Sequence, residues 1–173
     1  EEILSKSLEC MADKKKRTVI VKGGPGTGKT VVAINLLAKL TNEGLFVQYT
    51  SKNSAPRNVY AKKLTGHKKS SISNMFKGAG SYIDAEASIV DTIICDEGHR
   101  LTAKTQLGPK IAGDNQIKEI INSSLCSVFF IDESQRVTLK DIGTVNEIKK
   151  WADQLDSQVI EMELLSQFRC NGS

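Results

Sequence analysis

The sequence predicts an α/β fold in which helices cover both faces of a parallel sheet. Short apolar runs typical of strands alternate along the chain with segments whose apolar residues recur at helical spacing. This alternation favours a parallel sheet, because parallel neighbours are joined by crossovers that usually contain a helix. In addition, a glycine-rich segment joins the first strand to the first long helix, and acidic residues follow two later strands. The 173 residues suit one domain, residues 1–173.

Five apolar, β-branched runs are predicted to be strands. They are residues 18–21, 45–49, 88–95, 127–131 and 158–162. Helices are predicted over residues 1–12 and 31–40, and near residues 117–121. A further helix is predicted to follow a Thr144–Glu147 capping box, and a short one is predicted to start near Ser54. Residues 65–82 and 101–116 have weak periodicity and are predicted to be mostly loop.

The segment joining the first strand to the first long helix fits the pattern G-x-x-x-x-G-K-[ST]. It reads Gly23, Gly24, Pro25, Gly26, Thr27, Gly28, Lys29 and Thr30. This phosphate-binding motif requires a strand before it and a helix after it, and the segment is predicted to have both. The glycines let successive backbone N–H groups point into one anion-binding concavity, and the helix start adds partial positive charge. We predict that the loop binds ATP, with Lys29 on the β and γ phosphates and Thr30 on Mg²⁺.

Acidic residues follow two other predicted strands. Asp96 and Glu97 come after residues 88–95, and Asp132 to Gln135 come after 127–131. Ligands in such sheets lie at the carboxyl ends of the strands, so these residues should lie near the phosphate loop. We predict that Asp96 holds Mg²⁺ and that Glu97 orients and deprotonates the attacking water.

Each of three further polar residues has two possible roles. Gln135 either senses hydrolysis, by contacting the γ-phosphate and the lytic water, or simply caps a loop. His99 either links nucleotide state to a second ligand or is a packed loop histidine. Arg169 either stabilises charge on the γ-phosphate or is an exposed arginine.

Charge is unevenly distributed along the chain. Residues 1–86 carry 15 Lys/Arg against 7 Asp/Glu, whereas residues 87–173 carry 9 against 13. The basic half indicates either a phosphate-bearing polymer as partner or a solvated surface. Because aromatic residues make up only 5% of the chain, contact with a nucleic acid is expected at its backbone, and to be salt-sensitive.

The cysteines and the hydropathy narrow the class of protein. Cys10, Cys95, Cys126 and Cys170 form no C-x-x-C pair, which argues against a zinc site and a disulfide framework and favours a reducing, cytoplasmic setting. No run approaches the ~18 apolar residues that would cross a membrane. The chain opens Glu1-Glu2, without the basic and apolar stretches of a secretory signal.

The motifs together resemble the Schlafen group 3-like DNA/RNA helicase domain family, a superfamily-1-type P-loop helicase group. They run from the phosphate loop through Asp-Glu-Gly-His-Arg (96–100) and Phe-Phe-Ile-Asp-Glu-Ser-Gln-Arg-Val (129–137) to Gln-Phe-Arg-Cys-Asn-Gly-Ser (167–173). The resemblance implies a first RecA-like ATPase domain in which Lys29, Glu97, Gln135 and Arg169 serve catalysis. It also implies contacts with single-stranded DNA or RNA, which we expect at Ser51, Lys52, Asn53, Arg57 and His99. One departure is Ile131 before Asp132, where the helicase motif usually has glycine.

The expected function is ATP binding and hydrolysis in the first motor domain of a helicase or translocase. We expect a second RecA-like domain in cis beyond Ser173, so that residues 1–173 bind ATP and Mg²⁺ but hydrolyse ATP poorly and do not unwind. One alternative is a P-loop NTPase that acts as a regulatory switch or defence sensor. Another is a nucleotide-binding scaffold that does not hydrolyse.

Overall fold

The computed structural model describes residues 1–52, 74–135 and 138–165. These residues form a six-stranded parallel sheet and a separate two-stranded antiparallel hairpin. The helices are α1 (Glu2–Asp13), α2 (Lys29–Asn42), α3 (Gln116–Ser123) and α4 (Val145–Gln154). The strands are β1 (Arg17–Lys22), β2 (Val47–Thr50), β3 (Phe76–Lys77), β4 (Val90–Cys95), β5 (Thr105–Leu107), β6 (Lys110–Ala112), β7 (Ser124–Ile131) and β8 (Gln158–Glu163).

The large sheet has the strand order β3-β2-β4-β7-β1-β8. β1 therefore lies between β7 and β8, and β7 separates β1 from β4. Since all neighbours are parallel, the carboxyl ends of these six strands lie along one edge of the sheet. That edge carries the phosphate loop after β1 and the acidic loops after β4 and β7.

Side chains alternate between two apolar layers along each central strand. In β1, Val19 and Val21 face the layer that contains α1 and α2, whereas Ile20 faces the layer that contains α3 and α4. In β7, Val128 belongs to the first layer and Phe129 to the second. Both faces of the sheet are therefore covered by helices, and the predicted α/β class is confirmed.

Three of the four helices named above begin at residues that favour a helix start. α2 follows Gly28, whose φ of 79° lies in the left-handed region. The Asn115 side chain caps α3 by accepting from the N–H groups of Ile117 and Lys118, at 3.0 and 3.2 Å. Thr144 caps α4 by accepting from the Glu147 N–H at 3.2 Å. The predicted capping box is only half formed, because the Glu147 carboxylate does not accept from the Thr144 N–H. It accepts from Trp151 Nε1 at 3.0 Å instead.

Two segments predicted to be mostly loop contain regular structure. Within 65–82, β3 and a 3-10 turn (Ala79–Tyr82) occupy part of the described residues. Within 101–116, β5 and β6 form the hairpin. The short helix predicted from Ser54 lies outside the described residues. No helix in the described ranges is long and apolar enough to span a membrane.

Candidate nucleotide site

The phosphate loop curls between β1 and α2 at the carboxyl edge of the sheet. Gly26 and Gly28 have φ values of 73° and 79°, which side-chain-bearing residues rarely adopt. The Thr27 hydroxyl donates to the Gly24 carbonyl at 2.8 Å, which closes the turn. The Gly23 N–H donates to the Ile131 carbonyl at 3.0 Å. The loop is therefore attached at its base to the last residue of β7.

Lys29 lies between the phosphate loop and the acidic loop after β7. Its Nζ donates to the carbonyls of Gly23 and Gly24 at 2.6 and 2.7 Å. The same Nζ lies 3.9 Å from Asp132 Oδ2. A cation at the mouth of the loop has the charge and position to bind a phosphate group.

Asp96, the residue after β4, accepts three hydrogen bonds at this edge. The Thr30 hydroxyl and the Tyr49 hydroxyl donate to its Oδ2 at 2.7 and 2.6 Å, and the Glu97 N–H donates to its Oδ1 at 2.9 Å. The side chain is buried. Three donors therefore fix the orientation of one carboxylate that sits directly beside the phosphate loop.

The oxygen atoms of Asp96 and Thr30 suit Mg²⁺, which prefers hard oxygen ligands and keeps several waters. Within residues 1–52, 74–135 and 138–165, no group of three or more His, Cys, Asp or Glu side chains could hold a metal ion. A cation held here would consequently need further oxygens from phosphate groups and water. The residues present fit a magnesium–nucleotide complex better than a metal site made of protein ligands alone.

Glu97 has a backbone conformation that is unusual for its residue type. Its φ of 53° lies in the left-handed region, which costs a non-glycine residue about 1–2 kcal/mol. Its Oε2 lies 3.9 Å from Arg100 Nη1. Strain of this kind persists where surrounding contacts impose it, and it is concentrated at functional sites. The turn presents the carboxylate at the edge of the sheet next to Asp96.

His99 connects the acidic loop after β4 to the one after β7. Its Nδ1 accepts from the Asp132 N–H at 3.3 Å, which requires the neutral ring to carry its proton on Nε2. Among the described residues Nε2 has no hydrogen-bond partner. Burial lowers the pKa of His99 below its ordinary value. His99 is thus a buried link between two loops, and it is not part of the exposed surface that carries Lys52.

Asp132 is held as a carboxylate in spite of its burial. Burial alone would raise its pKa, but two hydrogen bonds from Ser134 and the positive charge of Lys29 outweigh that effect, and its pKa lies below its ordinary value. The Ser134 N–H and hydroxyl both donate to Oδ1, at 3.0 and 2.6 Å. Gln135 is exposed, and its N–H donates to the Asp132 carbonyl at 3.2 Å.

The residues expected to contact a nucleic acid are described only in part. Ser51 and Lys52 follow β2 and border a groove of about 770 Å³ between that end of the sheet and the β5–β6 hairpin. Lys52 Nζ donates to the Arg100 carbonyl at 3.0 Å and lies 3.9 Å from Asp141 Oδ1. Asn53, Arg57 and Arg169 lie outside the described residues.

Sequence reasoning missed two residues of this edge. Tyr49 was predicted only as the last residue of the strand 45–49, yet its hydroxyl donates to Asp96. Gly143 lies against the loop after β4: a Cβ there would contact the Gly98 carbonyl oxygen and lie 2.6 Å from His99 Cα. A tyrosine near the end of a strand next to the acidic strand could have indicated the contact of Tyr49. Nothing local in the sequence indicated the close approach of Gly143.

Replacing Tyr49 by Phe is expected to destabilise the fold by about 1.5 kcal/mol, because a buried carboxylate loses a donor while packing is preserved. Urea unfolding at neutral pH measures the change. Tyr82→Phe is the matched control. The Tyr82 hydroxyl is buried without a partner in the described part of the chain, so its removal should be neutral or stabilising. Equal losses in the two variants would contradict the assignment.

The loop, the acidic strand ends and the parallel sheet define a nucleotide-binding, helicase-like domain of the RecA-like P-loop type. Residues 16–173 match the family described as Schlafen group 3, DNA/RNA helicase domain, and the chain belongs to that family. One solved structure, described as the crystal structure of a DNA replication initiation factor, is similar over 93% of this chain at 18% identity and a TM-score of 0.45. This chain spans 45% of that one. No curated protein matches.

Proposed function

We propose that the chain is the first motor domain of a superfamily-1-like DNA/RNA helicase or translocase that binds and hydrolyses ATP. The observation that carries the proposal is the set of contacts that join the phosphate loop to both acidic loops. Thr30 bonds to Asp96, and Lys29 lies close to Asp132, so one site contains groups for phosphate, metal and water. Membership of a DNA/RNA helicase family supports the same conclusion.

In this proposal the phosphate loop holds ATP. Its backbone N–H groups bind the phosphates, Lys29 moves from the loop carbonyls to the β and γ phosphates, and Thr30 and Asp96 hold Mg²⁺. Bound Mg²⁺ supplies charge that stabilises the phosphoryl oxygens in the transition state. Tyr49 keeps the Asp96 carboxylate in one orientation, which favours a fixed position of the nucleotide.

Hydrolysis is assigned to residues around the γ-phosphate position. Glu97 orients the attacking water and accepts its proton. Gln135 sits on the exposed loop after β7 and donates its amide to the phosphate or the water. Arg169 contributes positive charge, and a second RecA-like domain in cis completes the site. The buried His99 contact links the loops that carry Glu97 and Gln135.

A single strand is proposed to run along the carboxyl edge beyond β2. Ser51 and Lys52 border the groove there, and Asn53 and Arg57 extend the same polar, basic segment. Lys140 adds a further cation to the border, whereas Ile111 and Leu139 give the groove an apolar lining. Contacts through lysine and arginine to phosphates predict affinity that falls steeply with salt.

The proposal is tested by measuring ATP turnover with and without single-stranded DNA and RNA. We expect residues 1–173 to bind ATP with Mg²⁺ but to turn it over slowly. A chain extended by the second domain should be stimulated about tenfold or more by a single strand, because the strand organises the motif residues of both domains. Turnover without stimulation would favour a regulatory switch, and binding without turnover in the extended chain would favour a scaffold.

A further inference from the structure

The groove beyond β2 combines an apolar lining with the size of a ligand pocket. It lies between the end of β2, the 3-10 turn after β3 and the β5–β6 hairpin. Its volume of about 770 Å³ falls within the range of about 300–1,000 Å³ that is usual for small-molecule sites. The apolar part of the lining comes from Ala79, Ala103, Ile111, Leu139 and Ile142. The groove is therefore large enough for flat apolar groups such as nucleobases.

Two large aliphatic side chains at this groove are exposed to water. Ile111 on β6 is 67% exposed, and Leu139 in the loop between β7 and α4 is fully exposed. A single exposed leucine or isoleucine is ordinary on a protein surface. Here, however, two of them come from separate elements and border the same groove. An occupant with apolar faces would remove both side chains from water.

The charges around the groove favour an occupant that is also an anion. Among the described residues that line it, the charged ones are Lys52, Lys104 and Lys140, and none is acidic. An apolar segment of polypeptide would not make use of three lysines. A single strand of nucleic acid has both features, because it carries a phosphate at every nucleotide and an apolar face on every base.

The walls of the groove are fixed by contacts at their base. Gln116 accepts from the Thr102 N–H and donates to Thr105 Oγ1, both at 2.8 Å. A Cβ at Gly80 would collide with Thr105 Cγ2, so the hairpin packs directly on the 3-10 turn. The loop before α4 is joined to the same segment by the bridge between Thr102 and Asp141. Binding to a groove that is already formed loses little conformational entropy.

We propose that the groove holds unstacked bases of the single strand, with Ile111 and Leu139 against the faces of the bases and the lysines toward the phosphates. This inference rests on the proposed function, because it specifies how the strand is held at the same site. The low aromatic content of the chain predicted contact with the backbone alone. Aliphatic side chains can also lie against bases or between them, and they supply that contact here.

The contribution of the bases is measured by comparing an oligothymidine with an abasic strand of equal length. The abasic strand keeps the phosphates and lacks the bases. Fluorescence anisotropy gives the affinity of the extended chain for each strand. Ile111→Ser and Leu139→Ser are each expected to weaken binding of the oligothymidine about fivefold, since an apolar contact is lost, and to leave binding of the abasic strand unchanged.

Two further variants separate the base contacts from other effects. Leu107→Ser is the matched control, because Leu107 is 51% exposed on the same hairpin but is not among the described residues that border the groove. It should bind both strands as the unmodified chain does. Lys140→Ala should weaken binding of both strands equally and make the dependence of log affinity on log salt less steep by about 0.7.

The outcomes distinguish a wrong inference from a wrong function. If Ile111→Ser and Leu139→Ser keep the ratio of the two affinities found for the unmodified chain, the bases do not occupy the groove. Binding that still depends on salt and on Lys140 would then leave the proposed function intact. If neither strand binds, the proposed function and the inference are both wrong. If the two serine variants lower the melting temperature of the extended chain without altering strand affinity, the second domain covers the groove and the inference is wrong.

Discussion

Replacing Glu97 by Gln is expected to lower ATP turnover at least about 100-fold while ATP binding is retained. Glutamine has nearly the shape of glutamate, so the turn and the neighbouring Asp96 keep their positions. It cannot accept a proton from water, and general base catalysis contributes about 10²–10⁴-fold. The effect should therefore appear in kcat and not in the affinity for ATP.

The structure makes Glu97 a suitable residue for this test. Its left-handed φ of 53° fixes the direction in which the side chain leaves the backbone. The backbone N–H of Glu97 also donates to Asp96 Oδ1 at 2.9 Å, so the same residue orients the carboxylate proposed for Mg²⁺. The Glu97→Gln substitution preserves that N–H, and the variant consequently isolates the side-chain carboxylate from the backbone contact.

Turnover should be measured in the extended chain with a saturating single strand, and ATP binding should be measured separately with a fluorescent analogue. Glu86→Gln is the matched control, because Glu86 is exposed and lies before β4, away from the phosphate loop. Lys29→Ala provides a contrast, since it should lose ATP binding itself. If Glu97→Gln turned over ATP at the rate of the Glu86 control, the proposed role of Glu97 would be wrong.

The sequence was sufficient for the parts of the fold that local patterns determine. The phosphate loop has a fixed spacing, and the five predicted strands overlap β1, β2, β4, β7 and β8. The parallel arrangement follows from the alternation with helices, and it brings three strand ends to one edge. This is why Thr30, Asp96 and Asp132 could be expected near one another from the chain alone.

The remaining features depend on contacts between residues that are distant in sequence. β3 has two residues, too few for a detectable period. The β5 and β6 strands have three residues each and are largely exposed, so they are too short to show the alternating pattern on which strand prediction depends. The Tyr49 contact with Asp96 depends on strand order, which the sequence does not specify. The close approach of Gly143 to Gly98 depends on how a loop before α4 packs on another loop.

The close approach of Gly143 to Gly98 makes Gly143→Ala the second substitution with a large expected effect. A Cβ at this position would collide with the Gly98 carbonyl oxygen and lie 2.6 Å from His99 Cα. Both are backbone atoms, which cannot give way as a flexible side chain can. The added methyl group is expected to reduce the free energy of unfolding by about 3 kcal/mol, the upper end of the usual cost of overpacking.

The loop cannot relieve the collision by moving freely. On the Gly143 side, the Ile142 N–H donates to the Leu101 carbonyl at 2.7 Å, and Asp141 forms an isolated antiparallel bridge with Thr102. On the other side, Gly98 is packed against β7, where a Cβ would lie 3.3 Å from Ile131 Cγ1. Any displacement must therefore change the turn that carries Glu97 and His99.

Gly143→Ala should consequently lose ATP turnover as well as stability, and the loss of turnover should persist at temperatures where the variant is fully folded. Urea unfolding measures the first effect, and single-strand-stimulated ATPase at low temperature measures the second. Gly78→Ala is the stability control, because in the described part of the chain a Cβ at that position has no atom within 4 Å apart from its chain neighbours. Normal turnover in a folded Gly143→Ala chain would show that the acidic loop tolerates displacement, and the geometry around Glu97 would then not limit the rate.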